Sequence, residues 1–269
     1  MRLALAQLSI EPGAVDTNRE RAVAAVRRAA ADGADLVVLP EIFTVGYFAF
    51  ESYAREAEPL GGPTLDRLAE VAADEGIWLL AGSVVEDLAA SADAGFEVPE
   101  PEGLANTAVL FDRDGGRRAV YRKQHLFGYG SAEDRLLVAG ERLPVTTLEG
   151  FEVGITTCYD LRFPELYGQL LDGGATLVLV PSAWPYPRVE HWTTLARARA
   201  IENATYLAAV NGAGEFDDAT LLGRTTVYDP WGTPLASAGD DAATVTATLD
   251  PARVAAVRDE FPAIGDRRR

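Results

Sequence analysis

Asp32-Gly33-Ala34-Asp35-Leu36-Val37-Val38-Leu39-Pro40-Glu41 carries the fold in one short stretch. The Asp-Gly pair ends a helix, because glycine accepts the left-handed conformation that closes one. The apolar run behind it has no polar face, as expected of a strand covered on both sides in a parallel sheet. Pro40 cannot donate to a ladder and stops the strand. Glu41 is thereby delivered at the strand end. The order returns in Asp172-Gly173-Gly174-Ala175-Thr176-Leu177-Val178-Leu179-Val180-Pro181-Ser182: helix end, glycine, buried strand, proline, polar residue. Two such units point to an α/β protein.

Working outward, strand and helix alternate. The pattern predicts strands over 3–8 and 36–39, a helix from Asp16 to near Gly33, a helix over 64–75 and a strand over 77–83. A hairpin pairs 107–111 with 118–123 across Asp114-Gly115-Gly116. A strand over 151–157 leads to a helix starting near Phe163, and a strand over 176–180 leads to a helix over 190–203. Strands over 206–210, 223–228 and 244–249 follow, and Asp250-Pro251 opens a last short helix. No linker divides the chain, so residues 1–269 are expected to form a single domain. The 87–104 stretch is acidic and rich in small residues, with Pro99 and Pro101. It reads as a solvated surface loop, either inert or a lid. The tail Asp266-Arg267-Arg268-Arg269 reads as frayed.

Chemistry enters at Ile155-Thr156-Thr157-Cys158-Tyr159-Asp160-Leu161-Arg162-Phe163-Pro164-Glu165-Leu166, which holds the only cysteine. A thiol where a strand emerges and a helix begins meets backbone N–H groups able to hold an oxyanion. Position alone slightly favours a small buried apolar residue. The company changes the balance. Glu41 ends one strand, and Ala119-Val120-Tyr121-Arg122-Lys123-Gln124-His125-Leu126-Phe127 runs a second strand into Lys123. Gly130-Ser131-Ala132-Glu133-Asp134 follows as a polar loop. Together they supply a base, a cation, a second carboxylate and a nucleophile.

Leu39-Pro40-Glu41, Tyr121-Arg122-Lys123-Gln124-His125-Leu126-Phe127 and Cys158-Tyr159-Asp160-Leu161-Arg162-Phe163-Pro164-Glu165 resemble, in order and spacing, the three signature segments of the nitrilase superfamily of carbon–nitrogen hydrolases. The resemblance continues through Pro181-Ser182-Ala183-Trp184-Pro185, Arg197-Ala198-Arg199-Ala200-Ile201-Glu202-Asn203 and Asp229-Pro230-Trp231-Gly232, and so covers nearly the whole chain. It implies a pseudo-symmetric four-layer αββα sandwich with the site at the strand ends where Glu41 and Ser182 emerge. It also implies Glu41 as general base, Lys123 as the essential lysine and Cys158 as nucleophile. Glu133 matches the second glutamate in placement, with Asp134 as its competitor.

The residue types suit acyl transfer. Glu41 can take the thiol proton, pass it to the leaving nitrogen and then activate water. Lys123 offers a compact charge to the oxyanion, and the N–H of Tyr159 a second donor. His125 lies two residues past Lys123 and would share its side of an extended strand, so a Cys–His pairing is the alternative. The resemblance gives that segment a structural role. His191 opens a predicted helix and reads as a surface or groove residue.

Among superfamily branches, the segment around Cys158 is more similar to small amidases than to true nitrilases. The relatives implied act on short ω-amides of dicarboxylates such as α-ketoglutaramate, or on deaminated glutathione. Hydrolysis of a small ω-amide with release of ammonia is the expected reaction. The alternatives are an N-carbamoyl hydrolase, an acyltransferase, or a non-catalytic partner-binding module of the same fold. Tyr47, Phe127, Tyr159, Trp184 and Tyr186 read either as pocket lining or as core. Arg188 and Arg224 are candidate anchors for a substrate carboxylate. Arg162 reads as an ion-pair partner of Glu165 or Asp160. After Phe127 the sequence departs from its relatives with Gly128-Tyr129-Gly130, which bears on the pocket mouth.

Composition sets the remaining bounds. With 269 residues, 48% hydrophobic, the chain can bury a large core. The net charge of −17 argues against nucleic acid and anionic membranes as partners. One cysteine precludes an intrachain disulfide, and two histidines leave too few ligands for a zinc cluster, so no metal or other cofactor is expected. The N-terminus reads as a strand rather than a signal peptide, and no apolar run reaches membrane-spanning length. A cytoplasmic homodimer or higher homo-oligomer acting on a small-molecule amide is the expectation.

Overall fold

The computed structural model describes residues 1–129 and 131–267. Gly130, in the loop before Ser131, and Arg268 and Arg269 of the tail lie outside the described residues. The first half runs β1 (Arg2–Gln7), α1 (Val15–Ala31), β2 (Leu36–Val38), α2 (Tyr53–Glu56), α3 (Pro63–Glu75), β3 (Trp78–Asp87), α4 (Leu88–Asp93), β4 (Leu104–Phe111) and β5 (Arg117–Arg122). The second continues α5 (Glu133–Leu136), β6 (Val145–Leu148), β7 (Phe151–Ile155), α6 (Pro164–Asp172), β8 (Leu177–Ser182), α7 (Val189–Asn203) and β9 (Tyr206–Asn211). It closes with β10 (Ala213–Phe216), β11 (Ala219–Leu222), β12 (Thr226–Tyr228), β13 (Pro234–Ser237), β14 (Ala243–Thr248) and α8 (Pro251–Glu260).

Two six-stranded sheets form, in the orders β14-β1-β2-β3-β4-β5 and β13-β12-β9-β8-β7-β6. Their pairing senses match strand for strand. β1, β2 and β3 are parallel, as are β7, β8 and β9. β14 and β4 are antiparallel to the first three and β6 and β12 to the second three, and the edge strands β5 and β13 are antiparallel in turn to β4 and β12. The two echoing stretches of sequence deliver β2 and β8, the same position in each sheet. The crossover helices also correspond: α1 and α3 flank β2 in sequence, and α6 and α7 flank β8.

Strand alternation turns this topology into layers. Leu36 and Val38 point between the sheets, where Leu177 and Leu179 meet them from β8. Val37 and Leu39 point the other way, onto Ala22 and Val26 of α1 and Leu65 and Leu68 of α3. Val178 and Val180 likewise pack on Leu166 and Leu170 of α6 and Trp192 and Ala196 of α7. Strands buried on both faces need an apolar residue at every position, which is why β2 and β8 read as unbroken runs. The result is the four-layer αββα sandwich.

Helix ends follow local chemistry. α3 opens on Pro63 and closes on Gly76 at φ 63°, in the left-handed region. α8 opens on Pro251, and Asp250 Oδ1 accepts from Ala252 N–H at 3.0 Å.

The structure corrects several expectations. The 87–104 segment is not a loop throughout, since it begins with α4. Asp87 Oδ1 caps that helix by accepting from Ala90 N–H at 3.0 Å, and Leu88 and Ser91 are wholly buried. Ser91 Oγ accepts from Leu60 N–H at 3.0 Å, which ties the helix to the body. Small-residue composition concealed this, because one leucine and one cap suffice for so short a helix. β3 extends past the expected end to Asp87 through an irregularity between Ala81 and Val84. The strand before Cys158 ends at Ile155, and the strand expected from 223 starts at Thr226. The short strands β6, β10, β11 and β13 escaped the reading because their mixed residues give no period. In the tail, Ala263–Asp266 forms a 3-10 turn, and Arg267 donates to Asp172 Oδ1 at 3.0 Å. No helix among the described residues is long and apolar enough to cross a membrane.

Candidate active site

Three strand ends and one short helix converge. Glu41 follows β2, Lys123 follows β5, Cys158 follows β7, and Glu133 opens α5. The side chains of Glu41, Lys123 and Glu133 are each 0% exposed. Lys123 Nζ donates to Glu41 Oε1 at 2.9 Å and to Glu133 Oε1 and Oε2 at 2.8 and 2.9 Å. It also lies 5.1 Å from the centre of the Tyr47 ring. Glu133 Oε2 accepts further bonds from Tyr47 OH at 2.9 Å and Phe127 N–H at 2.7 Å. Glu41 Oε2 accepts from Ala183 N–H at 2.8 Å. Asp134 stays exposed on the cavity wall, so Glu133 alone of the pair joins the cluster.

Cys158 begins a 3-10 turn, Cys158–Arg162, and adopts φ 46°. A left-handed non-glycine residue costs on the order of 1 kcal/mol and persists only where its surroundings enforce it. Here Asp160 enforces it. Its carboxylate accepts from Thr157 N–H at 2.9 Å, Tyr121 OH at 2.6 Å and His125 N–H at 3.1 Å. His125 Nδ1 also lies 2.8 Å from Asp160 Oδ1, and its ring stacks 3.7 Å from Phe163. His125 is thus a brace between β5 and the cysteine turn rather than a partner of the thiol. The Tyr159 N–H lies in the first turn of the 3-10 helix, where N–H groups have no intrahelical acceptor.

Burial and charge set the protonation pattern. Burial raises the Glu41 carboxyl above its ordinary range, against the pull of Lys123. Burial works against the Lys123 ammonium too, but the Glu133 and Glu41 carboxylates overcome it and hold the group well above ordinary lysine. Burial and then the Glu41 charge push the Cys158 thiol well up, and Glu41 is within hydrogen-bonding reach of it. A thiol that resists ionising by itself beside a carboxylate of raised proton affinity suits proton transfer between the two.

Lys123 and Cys158 line a cavity of about 1080 Å³ together with Tyr47, Phe127, Tyr159, Trp184, Arg162 and Arg188, among others. Phe127 and Tyr159 meet edge to face at 4.9 Å. The Arg162 guanidinium lies 4.9 Å over the Trp184 ring and 5.7 Å over Tyr159, and Arg188 lies 5.7 Å over Phe127. Neither arginine forms an ion pair with a carboxylate among the described residues. The expected pairing of Arg162 with Glu165 or Asp160 is therefore corrected: Asp160 is occupied by Tyr121, His125 and Thr157, which leaves Arg162 in the cavity.

Two expected pocket residues are placed elsewhere. Arg224 is outside the cavity lining, and its Nε donates to Asp240 Oδ1 at 2.9 Å. Ser182 is wholly buried, and its Oγ turns back to Val180 O at 3.4 Å. What Ser182 brings to the site is its backbone carbonyl, which accepts from Glu41 N–H at 3.4 Å. Asn106, on β4, escaped the reading. Its Nδ2 donates to Glu41 Oε1 at 2.8 Å and Glu133 Oε1 at 3.2 Å. The available signal was a polar residue in phase with Ala108 and Leu110 at the start of a strand that faces the other sheet. Among the described residues, no group of three or more His, Cys, Asp or Glu is placed to hold a metal ion.

Comparison with known proteins agrees with this geometry. Residues 2–259 match the family model "Carbon-nitrogen hydrolase". A 2-oxoglutaramate amidase of Paenarthrobacter nicotinovorans is 39% identical over 243 residues, covering 87% of this chain and 79% of the relative. Saccharomyces cerevisiae Nit3, a member of branch 10 of the nitrilase superfamily, superposes with a TM-score of 0.86 at 30% identity, over 97% of this chain and 94% of that one. A variant of the amidase of Nesterenkonia sp. AN1 superposes with a TM-score of 0.82 at 31% identity, over 99% and 95% of the chains. Its structure shows covalent addition of the acetamide moiety of fluoroacetamide at the active site cysteine. With one family model spanning nearly all of it and the nitrilase-superfamily sandwich beneath, the chain belongs to the carbon-nitrogen hydrolase family.

Proposed function

We propose that the protein hydrolyses a small ω-amide bearing a carboxylate, of the 2-oxoglutaramate type, and releases ammonia through a thioester on Cys158. The observation that carries this reading is the Glu41–Lys123–Glu133 ion triad, with Lys123 and Cys158 both lining a cavity that holds two arginines without carboxylate partners among the described residues. The name of the Paenarthrobacter relative supports the substrate class.

In the first half-reaction Glu41 accepts the thiol proton as Sγ attacks the amide carbon. Lys123 and the Tyr159 N–H receive the oxyanion. The carbon–nitrogen bond then breaks, and the nitrogen leaves as ammonia with the proton held by Glu41. In the second, water adds to the thioester as Glu41 takes one of its protons. The carbon–sulfur bond breaks, and that proton returns to the sulfur as the carboxylic acid departs. Glu133 keeps Lys123 charged and in place throughout. Arg162 and Arg188, rather than Arg224, face the substrate's distal carboxylate.

The experiment is Cys158→Ala set against wild type, with ammonia release and intact-mass measurement across amide, nitrile and carbamoyl substrates. The wild type should show an acyl adduct on Cys158 with the ω-amide. The variant should lose roughly a thousandfold or more in kcat, since no other group can form the intermediate. Wild-type-like turnover by the variant would end this reading, and faster turnover of a nitrile or carbamoyl substrate would replace the substrate class.

A further inference from the structure

We propose that Asn106 is a positioning residue: its side-chain amide holds the Glu41 and Glu133 carboxylates in place, so that Lys123 keeps a free N–H aimed at the oxyanion. The proposal rests on the reading of Glu41, Lys123 and Cys158 just given. It begins with donor counting. An ammonium group has three N–H bonds. Lys123 Nζ directs contacts to three carboxylate oxygens, Glu41 Oε1, Glu133 Oε1 and Glu133 Oε2. Glu133 Oε1 and Oε2 belong to one carboxylate, so a single N–H forks between them, a second meets Glu41 Oε1, and the third is left for the oxyanion.

A buried carboxylate oxygen that loses its donor is costly. The structure supplies a neutral second donor at each of the three oxygens. Glu133 Oε2 has Tyr47 OH and Phe127 N–H. Glu133 Oε1 and Glu41 Oε1 both have Asn106 Nδ2, at 3.2 and 2.8 Å. The shorter contact is to the oxygen of Glu41, the carboxylate nearest the thiol. When Glu41 takes the Cys158 proton and its pull on Lys123 weakens, Asn106 keeps that oxygen hydrogen-bonded and holds the carboxyl in line with the thiol.

The amide orientation is dictated by its neighbours. Rotating it would set Oδ1 against two carboxylate oxygens. In the observed orientation Oδ1 is buried without a hydrogen-bond partner, so the two donors are kept at the expense of the acceptor. The backbone role of Asn106 is separate: its carbonyl accepts from Lys123 N–H at 2.9 Å, and any substitution retains that bond.

The charged and titratable groups around this amide are Glu41 after β2, Tyr47 beyond it, Lys123 after β5, Glu133 on α5 and Cys158 after β7. Glu86 and Arg122, on the strands beside β4, pair with each other at 2.7 and 2.8 Å, and Glu86 takes the Thr107 hydroxyl on the opposite face of β4.

Two variants test the proposal in the full-length enzyme. Asn106→Leu removes both donors at similar volume. Asn106→Asp offers a single donor, and only while protonated. For Asn106→Leu the expected result is a fall in kcat of roughly ten- to a hundredfold, the scale seen for groups that orient a reacting residue, with KM within about twofold. The acid limb of kcat/KM should move to higher pH, because a carboxylate stripped of a donor holds its proton longer. Asn106→Asp should approach wild type at the acid end and fall away as pH rises. A merely structural side chain would lower Tm without moving either profile. That result, or an Asn106→Leu enzyme with the wild-type kcat and acid limb, overturns the proposal. If Asn106→Leu does not fold, the profile of Asn106→Asp decides alone. Failure of the underlying reading looks different, because Cys158→Ala would then stay active whatever stands at 106.

Discussion

Replacing Lys123 by methionine keeps the stem of the side chain and removes the charge that two buried carboxylates share. The size of the effect follows from the site. Glu41 and Glu133 are each 0% exposed, so without the ammonium they cannot both stay ionised. Neutralising one carboxyl from its ordinary value of 4.5 costs about 3.4 kcal/mol at pH 7, from about 1.4 kcal/mol per pH unit. Breaking a buried ion pair by deleting one partner costs about 3–5 kcal/mol by direct comparison. The two routes agree on a loss of about 3–4 kcal/mol, on the order of 10 °C in Tm for a chain of this size. The pH dependence is the sharper signature. In the variant the folded-state carboxyls have pKa values raised above the unfolded ones. Their contribution is therefore fully present below the unfolded value and lost as pH rises through the folded one. At pH 5 the same neutralisation costs about 0.7 kcal/mol, so the gap between variant and wild type should narrow by up to about 2.7 kcal/mol. Equilibrium urea unfolding of both proteins at pH 5 and pH 7 measures it. A penalty equal at the two pH values, or below about 1 kcal/mol at pH 7, would refute the picture of a desolvated ion triad.

The other predictions concern the reaction. Glu41→Gln should abolish thioester formation, as seen by intact mass, whereas His125→Ala should keep turnover within about tenfold while lowering Tm, because His125 braces Asp160. Should His125→Ala prove the more damaging of the two, the base has been misassigned. Arg162→Ala and Arg188→Ala should each lower the kcat/KM ratio of a carboxylate-bearing amide over a neutral amide of equal size by roughly ten- to a hundredfold, the worth of a charged hydrogen bond. Arg224→Ala should leave that ratio unchanged, since Arg224 lies outside the cavity and is paired with Asp240. A ratio that falls only in Arg224→Ala would move the anchor to Arg224, one of the two candidates the sequence offered.

How much of this was legible beforehand depended on whether the information was local. The runs Leu36-Val37-Val38-Leu39 and Leu177-Val178-Leu179-Val180 announce strands covered on both faces, and the proline after each marks where a polar residue emerges. Glycine, proline and apolar period act within a few residues, so the alternating elements and the positions of Glu41, Lys123 and Cys158 could be read directly. Choices among neighbouring charged residues could not. Glu133 and Asp134 are adjacent and chemically alike, and only α5 decides which one turns inward to Lys123. Arg162, Arg188 and Arg224 are indistinguishable as letters. Asp240 removes one of them from contention, while Tyr121 and His125 occupy the aspartate that would have held another. Asn106 shows the limit most plainly. Its role exists only because β4 sets its amide between a carboxylate from the first α/β unit and one from α5. The sequence by itself determined the long central strands and crossover helices and which reactive groups stand at their ends, because backbone preference and burial pattern are local. Tertiary structure decided which charges meet, because a side chain's partner comes from distant segments and the energy of a buried charge depends on that partner.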